Sequence, residues 1–164
     1  MSFPGLYTLV FTLSFLYFDL QIVGRLLKEQ NFKISSEYGN VIQVNREIRE
    51  YLTENRFEEH LCNAVEICLT EALNNVIKHS YAGDSTKSIE INIRKKNNFL
   101  EIEIVDSGQP RKNLTVKNLD FDPADIENLP ESGMGLFIIK QLMDEMDYFS
   151  NDGKNYFILK KWLI

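Results

Sequence analysis

The stretch LTEALNNVIKHSY, from Leu69 to Tyr81, sets an apolar helical stripe beside an unusual number of polar side chains. At about 100° per residue, Glu71, Asn75 and Lys78 fall within about 60° of arc. Solvated helix faces usually carry Glu, Lys and Gln, whereas asparagine is a poor helix former. This stretch alone leaves two interpretations open: local pairing between adjacent helical turns, or a site that needs these side chains.

The segments around this helix predict further regular elements. SIEINIRK (88–95) and FLEIEIVD (99–106) alternate apolar and polar residues and predict a β-hairpin with one buried face. Upstream, NFKIS predicts a short strand, and residues 40–55 repeat apolar side chains at helical spacing. The opening stretch then belongs to a predicted helix that runs from about residue 57 to 79.

The C-terminal third predicts one more helix and one more hairpin. MGLFIIKQLMDEMDY (134–148) places Leu136, Ile139, Leu142, Met143 and Met146 on one helical face. The following tail predicts a hairpin that turns at Asp152-Gly153. Strands separated by helices and joined by hairpins predict an α+β two-layer sandwich, with helices on one face of a mostly antiparallel sheet.

The whole-chain composition is that of one folded domain. The 164 residues are 44% hydrophobic and 26% charged, which fits a single core. A net charge of −6 with 18 scattered basic residues argues against a nucleic-acid partner. Cys62 and Cys68 lie about 9 Å apart along one predicted helix, too far for a disulfide and without a metal-ligand pattern. They predict buried thiols in a reducing compartment.

The first 28 residues differ in composition from the rest of the chain. FPGLYTLVFTLSFLYF (3–18) is apolar, aromatic and uncharged. As a helix it would reach about 24 Å, short of the roughly 30 Å hydrocarbon core of a bilayer. Two interpretations stay open: a membrane anchor with the remainder in the cytoplasm, and a start assigned upstream of the real one. We therefore divide the chain into a leader (1–28) and a domain (29–164).

Two further stretches place glycines and a carboxylate at the ends of predicted elements. In VDSGQP, Asp106 ends a strand, and Gly108 allows close backbone approach to a ligand. In ESGMGLF, Gly133 and Gly135 precede a helix whose free N–H groups form an anion site. Each is often only a structural turn. Their joint order with the polar helix is far more specific.

The boxes EALNNVIKHSY, DSGQP and LPESGMGLFIIKQLMDEMDY together resemble the ATP-binding fold shared by gyrase, MutL, heat-shock chaperones and histidine kinases. Within that superfamily the sequence is most similar to the serine-protein kinases that act as anti-sigma factors, the RsbW and SpoIIAB type. The resemblance covers roughly residues 31 to 163. It implies a histidine-kinase-like ATPase fold that binds ATP and Mg²⁺.

The resemblance also implies roles for individual residues. Asn75 would present its amide oxygen to Mg²⁺, and Asp106 would accept a hydrogen bond from the adenine amine. Glu71, one helical turn before Asn75, would be the general base. These roles agree with physical chemistry, because Mg²⁺ prefers oxygen ligands and a carboxylate can take the proton of a serine hydroxyl.

The same resemblance assigns the glycines to the nucleotide and its lid. Gly108, Gly133 and Gly135 would line the nucleotide, and the loop 109–132 would close over the phosphates. The chain departs from the family at Pro110, where a second glycine is common. It also departs at Glu131 and Ser132, where some relatives have an arginine. The phosphate contacts of the lid therefore stay open.

Two smaller assignments accompany these. Lys78 and His79 follow the family's pattern, but a helix-end role facing the carboxyl dipole is an equal alternative to a phosphate contact. Asn155, on the last hairpin, aligns loosely with a position near adenine.

The function implied by the resemblance is an ATP-dependent serine-protein kinase and anti-sigma factor in the bacterial cytoplasm. It would bind a sigma factor and phosphorylate a STAS-type anti-anti-sigma protein in a partner switch, and a homodimer stays open. The alternative is a nucleotide-gated protein-binding regulator without kinase activity, and the presence of Glu71 favours the kinase. A sensor histidine kinase is disfavoured because no phosphoacceptor-histidine helix pair precedes the domain.

Overall fold

The computed structural model describes residues 29–111 and 134–163 as one sheet covered by helices. In chain order the elements are β1 (Gln30–Ser35), α1 (Tyr38–Glu54), α2 (Glu59–Asn75), a π-helix (Val76–Ser80), β2 (Ser88–Lys95), β3 (Phe99–Asp106), α3 (Met134–Leu142), β4 (Glu145–Asn151) and β5 (Lys154–Trp162). The strand order is β1-β2-β3-β5-β4, and each neighbouring pair is antiparallel. The predicted α+β two-layer sandwich is confirmed.

The core lies between the sheet and the helices. The predicted first hairpin pairs Ile91 with Ile104 and Ile93 with Ile102, so the alternating isoleucines share one face. These side chains are almost fully buried against the apolar stripes of α1 and α2. Full burial of one such side chain contributes roughly 1.5–3 kcal/mol, so the hairpin and these two helices fix the position of the sheet.

The helix of the opening stretch changes its geometry near its end. The α-helical part stops at Asn75, and Val76–Ser80 continue as a π-helix. The Tyr81 N–H accordingly donates to the carbonyl of Val76, five residues earlier, over 3.0 Å. Single π-helical turns are frequent at functional sites. This wider turn brings the end of the helix to Asp106, at the C-terminal end of the central strand β3.

The predicted helix 134–148 is too long. Helix α3 ends at Leu142, and Glu145–Asn151 form strand β4. Asp144 ends the helix because its carboxylate accepts from the Trp162 backbone N–H at 2.7 Å and from Lys161 Nζ at 3.0 Å. Met146, assigned to the helical face, instead pairs with Leu159 across the sheet. Sheet pairing therefore overrides the helical spacing of the apolar residues.

The second predicted hairpin is confirmed. Strands β4 and β5 meet at Asp152-Gly153, whose φ angles of 50° and 74° are those of a tight hairpin turn. Among residues 29–111 and 134–163, no helix combines the length and the apolar character needed to cross a bilayer. The leader 1–28, Gly133 and residues 112–132 of the predicted lid lie outside the described residues.

Candidate nucleotide site

The polar edge of α2 faces the N-terminal turn of α3. A Cβ atom built on Gly135 would overlap the Glu71 carboxylate and lie 3.5 Å from Asn75 Nδ2. A larger residue at position 135 would therefore displace the Glu71 carboxylate from its place beside the start of α3. The structure thus brings three of the predicted site residues together: Glu71, Asn75 and Gly135.

Asn75 carries a buried polar atom without a hydrogen-bond partner. Its Nδ2 has no donor or acceptor contact in the described part of the chain. An unsatisfied buried amide costs about 1–3 kcal/mol, and rotation of the amide exchanges its nitrogen and oxygen. The position is thus suited to a ligand or metal ion that the amide oxygen can approach.

Asp106 is held by three hydrogen bonds to one carboxylate oxygen. Its Oδ1 accepts from Ser80 Oγ, from the Gly108 N–H at 2.8 Å and from Asn155 Nδ2 at 2.8 Å. Asp106 and Asn155 are only 7% and 3% exposed. Oδ2 has no partner among the residues of known placement. The carboxylate is therefore fixed in orientation, with one oxygen left to accept from a ligand N–H.

Hydrogen bonds at both the oxygen and the nitrogen of its amide hold the Asn155 side chain in place. Its Oδ1 accepts from Ser150 Oγ at 2.7 Å, and its Nδ2 also approaches the Gly108 carbonyl at 3.2 Å. The side chain that was loosely aligned with adenine thus contacts Asp106 directly. Its observed role is to hold the carboxylate.

Gly108 lies so close to Ser80, the last residue of the π-helix, that no side chain fits at this position. A Cβ atom at this position would overlap the carbonyl and hydroxyl oxygens of Ser80. The next residue, Gln109, donates its N–H to the Ser80 carbonyl at 2.8 Å. Gly108 was expected to allow close approach of a ligand, and in the structure it allows close approach of the Ser80 backbone. This contact connects the end of β3 to the end of the π-helix.

Asn75 and Asp106 line the same cavity. Its other walls are Ala72, Val76, Ser80, Arg111, Leu136, Tyr148 and Phe157. The space has a volume of about 20 Å³, which holds about one water molecule. An adenine ring enters only if lining side chains move apart, so the described conformation is closed.

Arg111 is the most adjustable part of this cavity wall. Its backbone N–H donates to the Tyr148 hydroxyl at 2.9 Å. Burial lowers the pKa of its guanidinium, and the nearby Tyr148 and Asp106 oppose that shift. A long side chain with a partly desolvated charge loses little by swinging out to water. We therefore expect Arg111 to move when the cavity opens.

Glu71 does not line this cavity. It lines a shallow depression together with Asn63, Glu66, Ile67 and Thr70. A carboxylate in this position is accessible to a second protein while remaining one turn from Asn75. The structure therefore separates Glu71 from Asp106, the residue that would face the adenine ring.

Lys78 and His79 are exposed and do not line the cavity. Partial burial lowers the pKa of His79, and the positive charges of Arg111 and Lys78 lower it further. These effects favour the uncharged form of the His79 ring. The assignment of these two residues to phosphate or to a helix-end role stays open.

Sequence reasoning missed three lining residues: Ser80, Arg111 and Tyr148. Ser80 is the penultimate residue of the opening stretch, but only the π-helical turn aims its hydroxyl at Asp106. Tyr148 was placed on a helix that ends before it. Arg111 follows Pro110 in a segment without periodicity, so no pattern indicated where its side chain lies.

The profile of the histidine kinase-like ATPase domain family matches residues 34–161. The chain belongs to this family. The resemblance drawn from the three sequence boxes is thereby confirmed at family level, and the domain is an ATP-binding domain by membership.

Curated relatives point toward one branch of the family. Serine-protein kinase RsbW of Bacillus cereus strain AH820 is 32% identical over 99 residues, which span 58% of this chain and 61% of the relative. RsbW of Bacillus mycoides strain KBAB4 is 32% identical over 100 residues with the same coverage. The chain thus spans about three-fifths of the length of these curated relatives.

Two solved structures have the same fold. The RsbU and RsbW domains of a Mycobacterium tuberculosis protein superpose with a TM-score of 0.58 at 16% identity, covering 82% of this chain and 31% of that one. The SiaB-SiaC complex of Pseudomonas aeruginosa gives a TM-score of 0.53 at 14% identity, covering 90% and 97%. At these identities the comparison concerns the fold alone.

Proposed function

We propose that the domain is an ATP- and Mg²⁺-dependent serine-protein kinase that also acts as an anti-sigma regulator. One observation carries the proposal: Asn75 and Asp106 line one cavity, while Glu71, a turn earlier, faces solvent beneath the start of α3. This arrangement offers separate places for the adenine ring, for the phosphates and for the hydroxyl of a protein substrate. The similarity to RsbW kinases supports the same activity.

The donor set fits ATP and Mg²⁺. The free Oδ2 of Asp106 would accept from the exocyclic amine of adenine, and the apolar side chains of Ala72, Val76 and Leu136 would cover the ring. The Asn75 amide oxygen would hold Mg²⁺, which neutralises phosphate charge when bound. The N–H groups at the start of α3, including that of Gly135, would face the phosphates.

Glu71 would act on the protein substrate. Its carboxylate would accept the proton of a serine hydroxyl as the oxygen attacks the γ-phosphorus and the bond to the β-γ bridging oxygen breaks. The depression beside it gives a protein substrate access from solvent. The phosphoserine and ADP would then be the products.

The partners we propose are a sigma factor and a STAS-type antagonist, met in the cytoplasm. RsbW relatives are named serine-protein kinases, and the SiaB neighbour was solved in complex with SiaC. A second candidate function, a nucleotide-gated regulator without kinase activity, is favoured by Glu131 and Ser132, which stand where some kinases of this type place an arginine.

The test separates nucleotide binding from phosphoryl transfer. Glu71→Gln should keep Mg²⁺-dependent ATP affinity within about twofold. It should lose about 10²–10⁴-fold in transfer, because general-base catalysis contributes that much. The measurement is transfer of radiolabelled γ-phosphate to a STAS-domain protein from the same genome, at equal nucleotide occupancy.

Glu66→Gln is the matched control for this experiment. Glu66 lines the same depression but pairs with Arg49 at 2.8 Å, so its loss should leave transfer unchanged. Equal transfer by wild type and Glu71→Gln would assign Glu71 a structural role. A wild type that transfers nothing, yet binds the STAS protein in an ATP-dependent way, would favour the non-catalytic regulator.

A further inference from the structure

A second cavity lies at the far end of the sheet from Asp106. Strand β3 pairs Asp106 with Asn155 and, seven residues earlier, Phe99 with Trp162. At about 3.3 Å per residue the two ends are roughly 23 Å apart. The cavity beside Trp162 has a volume of about 390 Å³, within the usual range of small-molecule sites.

Apolar side chains form one part of the walls of this cavity. Phe57 and Leu61 come from the start of the α2 region, and Trp162 and Leu163 come from the end of β5. Trp162 remains 42% exposed. Such a surface suits the apolar body of a ligand, because burial of its area removes both partners from water.

The charged groups of the cavity are not balanced. Lys161 is paired with Asp144 at 3.0 Å, and the Glu58 carboxylate lies 3.1 Å from His60, whose ring carries a charge only when it is protonated. Arg56 and Lys95 also line the cavity, and neither has a carboxylate partner within the described ranges.

Lys95 is held over a ring instead of an acid. Its Nζ lies 5.2 Å from the centroid of the Phe57 ring, a cation–π contact. Among the described residues, it forms with Arg56 a pair of cations without an ion-pair partner, which outnumber the nearby Glu58 carboxylate, in a chain of net charge −6. The cavity therefore selects for negative charge against the overall charge of the molecule.

The backbone of Arg56, one of these two cations, has a strained left-handed conformation. The Phe57 N–H donates to the Leu52 carbonyl at 3.1 Å, and the Arg56 N–H donates to Thr53 at 3.0 Å. These bonds form a Schellman motif that ends α1, with Arg56 at the left-handed position usually taken by glycine. Its φ is 60°, which destabilises any residue with a Cβ atom.

An arginine at position 56 therefore makes the end of α1 less stable than a glycine would. Residues kept in such conformations are concentrated at ligand sites, where function and stability conflict. Here the residue supplies one of these two cations of the cavity.

We propose that this cavity binds a small organic anion: a carboxylate on an aliphatic or aromatic body. The carboxylate would lie between Arg56 and Lys95, and the body would pack against Phe57, Leu61 and Trp162. The site shares no residue with the candidate nucleotide site, so it stands independently of the proposed kinase activity.

The first experiment uses Trp162 as the reporter, since it is the single tryptophan of the chain. Decanoate is titrated against the protein and the tryptophan emission is followed, with nonyltrimethylammonium as a probe of equal alkyl tail and opposite charge. Decanoate should give a saturable change whose midpoint rises with NaCl. An absent response to decanoate, or an equal response to both probes, would overturn the proposal.

The decisive variant is Arg56→Gly. It should raise the thermal midpoint, because glycine relieves the left-handed strain, while it weakens decanoate binding at least fivefold. Lys95→Gln should weaken binding similarly, and Lys33→Gln, which removes a surface charge on β1, should leave it unchanged. Wild-type affinity for decanoate in Arg56→Gly and Lys95→Gln would show that the two cations do not form a site.

Discussion

At the scale of single residues, the candidate nucleotide site depends on how one carboxylate is held. Asp106 Oδ1 accepts three hydrogen bonds, from Ser80, Gly108 and Asn155. All three donors act on the same oxygen, so the second oxygen keeps its full capacity to accept. The asymmetry converts a symmetric carboxylate into a directed acceptor.

This asymmetry makes Asp106→Asn an informative substitution. The amide oxygen of the new residue can take the place of Oδ1 and keep all three donors, so the protein should fold. Its NH₂ group would then face the ligand, where an adenine amine would meet a donor instead of an acceptor. Mispairing of this kind costs about 1–3 kcal/mol, so ATP affinity measured by calorimetry should fall about 5- to 150-fold.

Asp147→Asn provides the control for Asp106→Asn. Asp147 is an exposed carboxylate on β4, so its neutralisation changes the net charge equally without touching the cavity. Its ATP affinity should match the wild type. An unchanged affinity in folded Asp106→Asn would remove Asp106 from the site.

The residues that the sequence could predict are those in its compact boxes. Glu71, Asn75 and Gly135 were indicated by helical spacing or by a glycine at a helix start, and the structure places them together. Ser80 and Tyr148 were missed because their positions depend on a π-helical turn and on a strand pairing. The local sequence pattern does not indicate where a π-helical turn forms or which distant strands pair.

At the scale of elements, α2 combines a functional edge with a tightly packed apolar face. Cys68 lies on that face with 0% exposure, and burial raises the pKa of its thiol to about 12. The folded state therefore holds this proton more tightly than the unfolded chain, whose thiol has a pKa near 9.0. By linkage, the contribution to stability is full below pH 9 and is lost as pH rises toward 12.

Cys68→Ala should remove this part of the alkaline destabilisation. The free energy of unfolding, from urea titrations between pH 7 and 11, should fall less steeply with pH in the variant than in the wild type. Val65→Ala, on the same helix and also buried, creates a cavity without removing a thiol and should retain the wild-type slope. Parallel pH profiles for all three proteins would show that Cys68 does not titrate differently on folding.

Element boundaries were the least predictable part of the fold. The first hairpin followed its alternation closely, because one face of each strand is buried and the period of two leaves no other register. Residues 143–148 continue the helical spacing, yet Glu145–Asn151 form strand β4. Asp144, through its bonds to β5, decided between helix and strand, and that choice depends on residues far away in the chain.

At the scale of the whole molecule, the fold presents two cavities at opposite ends of one sheet. One contains the groups proposed to bind ATP, and the other contains the cations Arg56 and Lys95. The buried isoleucines of β2 and β3 run between them and hold both ends in a fixed relation. The sequence indicated the first cavity through its boxes, whereas the second has no motif and required the structure.

The last prediction concerns the leader, residues 1–28. Among residues 29–111 and 134–163, the buried core side chains lie between Val41 and Leu159, and β1 begins at Gln30 next to the ion pair of Glu29 with Arg94 at 2.8 Å. A chain that begins at Lys28 therefore keeps the contacts that these core residues make with one another. We expect it to unfold cooperatively with a thermal midpoint within a few degrees of the full chain, and to bind ATP within about twofold. An insoluble fragment, or one that does not bind ATP, would instead show that the leader contributes to the core.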